Sequence, residues 1–320
     1  MSFAEANRLG AKGEPFLIIY DYKKDNVITI PLDKLDSHDI EFEIKDFFNI
    51  KNNEKNNRDL NFYKIPVSFD NYLKKFNKVI DSIKLGYTYL LNLTQESEII
   101  VNSNLKDIYD HAEAKYKLRY KNEFICYSPE TFITIENNII STYPMKGTLP
   151  VTSSNIINNG EELRENIKES AEHVMIVDLL RNDLNMVAKN IKVTKFKYVE
   201  KIKSGKGELW QMSSEIVGNL ESGWQSRIGD ILEKISPAGS ITGTPKKRTV
   251  QLIKDIEDYD RGFFTGIFGV FNDNKFKSGV MIRFLEARNG KLFYKSGGGV
   301  TLDSDSNSEY NEMIDKIYLF

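Results

Sequence analysis

The sequence predicts an α+β protein in which antiparallel sheets and flanking helices form a single large domain. Three observations lead there. Short alternating runs recur with tight polar turns between them, helical periodicity is confined to a few longer segments, and nothing is composed like an interdomain linker. At 320 residues the chain can bury a large core, and residues 1–68 read as a short N-terminal portion packed on the same 1–320 unit.

Residues 16–20 and 27–30 read as strands around a polar turn. Residues 51–60, rich in Asn and Lys without a period, read as an exposed loop. A helix over 69–85 places Tyr72, Phe76, Val79, Ile80 and Ile83 on one side and stops at Gly86. Residues 116–143 alternate, with turn signals at Lys121-Asn122 and Asn137-Asn138, and predict a β-meander. A loop containing Ser153, Ser154, Asn155, Asn158 and Gly160 leads into a helix carrying Glu169 and Glu172. From Val174 onward that helix is apolar nearly all round, so it is expected to be buried, with Asp178 and Arg181 paired in the interior.

The C-terminal third predicts strands over 263–271, 279–287 and 291–295, the last two joined by the tight-turn pair Asn289-Gly290. A final helix shows a capping box, Ser306 with Glu309, and a stripe of Tyr310, Met313, Ile314, Ile317 and Tyr318.

Composition narrows the chemistry. A net charge of −2 gives no nucleic-acid footprint and no basic membrane-binding surface. No run approaches the roughly 18 apolar residues of a membrane span, and the first residues lack a signal-type apolar block. The lone Cys126 excludes an internal disulfide and suits a reducing cytoplasm. With only His38, His111 and His173, zinc and serine–histidine chemistry are hard to assemble. Lysine, carboxylate, arginine and backbone remain.

Two carboxylate pairs share one spacing: Glu169 with Glu172, and Glu309 with Glu312. Residues three apart share a helix face, and such a pair alone is most often solvated. Two such helices facing each other would instead make an oxygen-rich magnesium site able to hold an anionic substrate. Lys146 sits in Pro144-Met145-Lys146-Gly147-Thr148, where proline and glycine constrain the backbone path. An exposed lysine is the common case; a nucleophile needs its amine neutral, through burial or a nearby cation. Gly239 to Lys246 departs from the phosphate-loop pattern and reads as a Gly/Thr turn before a helix, either a plain cap or a carboxylate site. Gly297-Gly298-Gly299 would end a strand and let a ligand approach the backbone. Arg283, in an apolar strand, is either paired internally or forked onto a substrate carboxylate.

Together with residues 86–94, Ser128-Pro129-Glu130 and 261–269, these blocks resemble the chorismate-utilising enzymes: anthranilate, aminodeoxychorismate, isochorismate and salicylate synthases. The likeness spans about the last three-quarters of the chain. It is similar at Lys146 to the aminodeoxychorismate-forming branch, where anthranilate synthases have alanine. The resemblance implies formation of 4-amino-4-deoxychorismate, toward 4-aminobenzoate and folate, with Mg2+ held by Glu172 and Glu312 beside Glu169 and Glu309. It implies Lys146 as the covalent nucleophile, and Thr148, Gln211, Thr242, Gly243, Thr244, Arg283, Gly298 and Gly299 as substrate contacts. It also implies ammonia from a glutamine amidotransferase subunit; no such domain is recognisable here. Tyr143, Gln211 and Phe264 depart from residues frequent in the family (arginine, histidine and tyrosine), and the short N-terminal region is expected to lack an amino-acid feedback pocket.

Overall fold

The computed structural model describes residues 2–45, 47–49, 61–152, 155–156, 158–204 and 207–319. The chain opens with helix α1 (Phe3–Ala11), strands β1 (Phe16–Tyr20), β2 (Val27–Pro31), β3 (Ile40–Ile44), β4 (Phe47–Phe48) and β5 (Phe62–Ile65). Helix α2 (Phe69–Lys84) precedes β6 (Leu90–Val101) and α3 (Leu105–His111). Strands β7 (Tyr116–Tyr120), β8 (Phe124–Ser128), β9 (Thr131–Glu136), β10 (Ile139–Thr142) and β11 (Met145–Pro150) follow. Next come α4 (Glu162–Glu165), α5 (Ile167–Asn185), β12 (Lys189–Ser204), β13 (Gly207–Asn219), α6 (Ile228–Ile235), β14 (Gly243–Thr244) and α7 (Lys246–Ile256). Strands β15 (Ile267–Asn272), β16 (Lys275–Val280), β17 (Phe284–Arg288) and β18 (Lys291–Val300) lead to α8 (Ser306–Asp315).

These strands make two antiparallel sheets. The first runs β11-β13-β10-β9-β16-β15-β1-β2 with β12 on β13; the second runs β14-β6-β18-β17-β8-β7-β3-β4 with β5 on β6. The largest apolar cluster packs β1, β9, β15 and β16 of the first sheet against α1, α2, α5, α6 and α7. Turn chemistry sets the hairpins. Asn137-Asn138, Asp273-Asn274 and Asn289-Gly290 all have positive φ, as tight two-residue connections require.

The predicted meander is divided: β7 and β8 belong to the second sheet, β9 and β10 to the first. Alternation reports only that one face is buried, not which sheet buries it. The predicted strand over 279–287 is likewise cut. Residues 281–283 carry the chain from β16 in the first sheet to β17 in the second, with Arg283 at φ +51. The strand expected from 263 starts at Ile267, after a turn in which Gly266 N donates to Phe263 O at 2.9 Å. The expected strand over 291–295 continues to Val300, so the three glycines lie within it. Asp305, not Ser306, caps α8 by accepting from Ser308 N. The helix over 69–85 ends one residue early, with Gly86 at φ +75 behind its cap. The loop over 51–60, Ser153 and Ser154 lie outside the described residues.

The expected interior pair is at the surface. Arg181 Nη1 stands 3.3 Å from Asp178 Oδ1, with side chains 49% and 64% exposed. Helix α5 is buried along a stripe, and Val174 is itself exposed. The apolar residues Ile176, Val177, Leu179, Leu180 and Leu184 are buried, and Asp178 and Arg181 fall on the exposed side between them.

Candidate active site

A cavity of about 600 Å³ lies where the chain twice crosses between the sheets. Pro129 and Glu130 cross from β8 to β9; Ile282 and Arg283 cross from β16 to β17; all four line it. The crossings bond to each other, Val280 N to Glu130 O at 3.1 Å and Tyr127 N to Arg283 O at 3.2 Å. Strand β11 supplies Lys146, Gly147 and Thr148; β18 supplies Gly297, Gly298 and Gly299; α5 supplies Glu169 and α8 Glu312.

Lys146 Nζ lies 2.7 Å from Glu172 Oε2, and the Glu172 side chain is 6% exposed. Burial alone would push the Lys146 amine down, but Glu172, Glu312 and Glu169 outweigh it and hold the value above an ordinary lysine. The amine is therefore charged here, opposite to what a nucleophile needs. Gly147, at φ +83, lets β11 press against α5: a Cβ there would meet Glu169 Oε2 at 3.0 Å.

On the far wall Glu312 Oε1 meets Lys316 Nζ at 2.7 Å, and that amine also donates to Gly297 O at 2.8 Å. Burial lowers the Lys316 value, against the pull of Glu312. Glu309 lies behind, taking a 2.7 Å bond from Ser304 Oγ, with Oε2 placed 3.3 Å from where a Cβ on Gly298 would stand. Arg283 donates from Nε to Tyr318 Oη at 2.8 Å, so it has an internal partner, and it also lines the cavity.

Glu169 and Glu172 from α5 and Glu312 from α8 thus all act on one ammonium group. Among the described residues, no three His, Cys, Asp or Glu side chains stand together as a ready-made metal cluster. The carboxylates are neutralised by Lys146 and Lys316 instead. Their chemistry, hard anionic oxygen from two sides of one cavity, fits magnesium rather than a softer ion.

Gln211 lines the cavity, as does Phe264, which brings a bare ring and no hydroxyl. Tyr143 is not among the lining residues; Lys115 Nζ stands 5.8 Å from its ring centre. The Gly/Thr turn is corrected in detail. Gly243 and Thr244 pair with Leu91 and Leu90 of β6, and the Thr242 hydroxyl donates to Ala238 O at 3.0 Å. Ser240 and Ile241, one step earlier, reach the cavity in their place.

Two residues of the site escaped sequence reasoning. Glu130 stood in a recognised block without a role, although a carboxylate behind proline between two strands was a usable signal. Ser240 Oγ donates to its Oε1, and burial raises its carboxyl value despite that bond, Arg283 and Lys316. Lys316, four residues after Glu312, was legible as a helical ion pair.

Comparisons with known proteins follow this geometry. The chorismate binding enzyme family matches residues 20–320. A protein of Haemophilus influenzae named "Uncharacterized PabA-like protein" is 42% identical over 315 residues, 98% of this chain and 95% of its own. Aminodeoxychorismate synthase component 1 of Bacillus subtilis is 31% identical over 265 residues, covering 79% of this chain and 55% of that protein. Among solved structures, an isochorismate synthase, DhbC, from Bacillus anthracis shares the fold at TM-score 0.72 and 21% identity, over 99% of this chain and 86% of that one. Anthranilate synthase component I from Streptococcus pneumoniae aligns at TM-score 0.67 and 25% identity, over 81% and 58%. With the match running through both sheets and every wall of the cavity, this chain belongs to the chorismate binding enzyme family.

Proposed function

We propose that the protein is the chorismate-aminating component of an aminodeoxychorismate synthase, converting chorismate and ammonia to 4-amino-4-deoxychorismate for 4-aminobenzoate and folate. The observation that carries this reading is Lys146, an amine on the cavity wall 2.7 Å from Glu172, at the position that separates this activity from anthranilate synthesis.

Arg283, Lys316 and the backbone around Gly298 and Gly299 hold the substrate carboxylates, by charge-assisted bonds and close backbone approach. Thr148 and Gln211 face the ring. Magnesium, held by Glu172 and Glu312 with Glu169 and Glu309 beside them, would supply positive charge against the ring carboxylate. Lys146 must first release its proton to solvent, and it is reprotonated after the bond to it breaks. Its lone pair then forms a bond to ring carbon 2, the double bonds shift, and the carbon 4 hydroxyl leaves as water with a proton from Glu130. Burial raises the Glu130 carboxyl value, which favours its protonated form relative to an exposed glutamate. Ammonia forms the new bond at carbon 4, the double bonds return, and the bond to Lys146 breaks. One difficult substitution becomes two easier ones.

Names of relatives as component 1 support a second component, and a glutamine amidotransferase subunit is the source of ammonia this chemistry asks for. The test is chromatography of the products formed from chorismate, ammonium and magnesium. Aminodeoxychorismate as the main product is expected; anthranilate or isochorismate in its place would overturn the assignment.

A further inference from the structure

Beneath the cavity lies an ion pair that the chemistry above does not use. Asp183, near the C-terminal end of α5, is 6% exposed. Its Oδ2 accepts from Gly239 N at 3.1 Å, and its Oδ1 meets Lys246 Nζ at 2.6 Å. That amine also donates to Ile235 O at 3.0 Å. One carboxylate thereby ties down the first residue of the 239–244 turn and the first residue of α7 behind it. The turn is pressed onto the helix: a Cβ on Gly239 would fall 2.7 Å from Leu179 Cγ and 3.0 Å from Asp183 Oδ2. The next residue, Ser240, donates to Glu130.

We infer that Asp183 and Lys246 are positioning residues: their pair clamps the 239–244 turn so that Ser240 aims the carboxyl of Glu130 at the departing hydroxyl. This rests on the role given to Glu130 above. A buried ion pair adds little net stability compared with apolar residues of similar volume, so stability alone does not account for one at this place. The charged groups facing Asp183 are Lys246 from α7 and, acting on that amine from beyond it, Lys24. Burial pushes the Asp183 carboxyl up to about 6, with Lys246 and the Gly239 N–H opposing. The clamp is closed above that pH and opens below it.

The experiment measures steady-state rates of chorismate consumption from pH 5 to 8 for the wild type, D183N and the double variant D183L/K246M, with thermal unfolding in parallel. A displaced acid is expected to lower kcat about 10- to 100-fold, with the KM for chorismate changed less than about threefold. A fall in kcat below about pH 6 is expected for the wild type and is expected to be absent from the residual activity of D183N. The double variant, which leaves no unpaired charge buried, is expected to unfold no lower than D183N and yet to stay as slow. Wild-type turnover and pH profile in the double variant would overturn the inference. Product identity reports separately on the reaction. A different chorismate product would remove the assignment above, while the kcat ratio on that product still judges the clamp.

Discussion

Helix α5 carries three carboxylate–cation pairs with three different fates. At its N-terminal end the buried Glu172 pairs with Lys146 on the cavity wall; in the middle Asp178 and Arg181 face water; toward its C-terminal end the buried Asp183 holds Lys246 against a turn. In sequence the middle pair is the most regular, three residues apart on one helix, and it matters least. The other two join residues 26 and 63 positions apart by number, Lys146 to Glu172 and Asp183 to Lys246. The difference teaches that depth, and what lies on the open side of a pair, decide its use. A pair beside empty space can be remade around a ligand; a sealed pair can only hold its neighbours still.

The cavity pair should show the largest effect. Lys146→Ala is expected to lower kcat on the order of 10³-fold or more and to abolish any covalent adduct seen by mass spectrometry after chorismate without ammonia. Normal turnover in that variant would end the nucleophile assignment. Glu172→Gln comes next, with loss of magnesium-dependent activity on the order of 10²-fold or more, read as rate against magnesium concentration. An unchanged magnesium response would place the ion elsewhere.

Glu130→Gln sharpens the link between the cavity and the sealed end. It removes the proposed donor for the departing hydroxyl while keeping the bond to Ser240 possible, so a fall of roughly 10²-fold in kcat is expected. Chorismate affinity, measured directly, should change little. Gly239→Ala probes the sealed end sterically. A methyl 2.7 Å from Leu179 Cγ must displace helix or turn, and a loss of about 1–3 kcal/mol is expected in denaturant unfolding. Asp178→Ala closes the series. An exposed pair of this kind contributes at most about 0.5–1 kcal/mol, and neither unfolding nor turnover should shift measurably.

Much of this was legible in the sequence for local reasons. Hairpin turns declared themselves because Asn and Gly tolerate positive φ, and α2 declared itself through its one-sided stripe. Glutamate spacing alone is a weak marker, since Glu162 and Glu165 share it; Lys146, held between proline and glycine, was the more specific one, and it lies on the cavity wall. What stayed hidden was non-local. Whether residues 116–143 form one sheet or feed two, whether Arg283 lies in a strand or between strands, and which aspartate of α5 is buried all depend on partners more than 50 residues away. The charge on Lys146 was hidden because it is set by carboxylates of two other elements, α5 and α8, brought beside it by the fold.

The two crossings that bond to each other, Pro129-Glu130 and Ile282-Arg283, make the reaction chamber a seam rather than a pit in one rigid wall. Glu130 and Arg283, for which acid and anchoring roles are proposed, both ride on that stitch, so a slight slip of one layer past the other would move them together against the strand bearing Lys146. Such an enzyme can lose its alignment through a substitution deep in either layer, far from the chamber, without a single reacting group being touched.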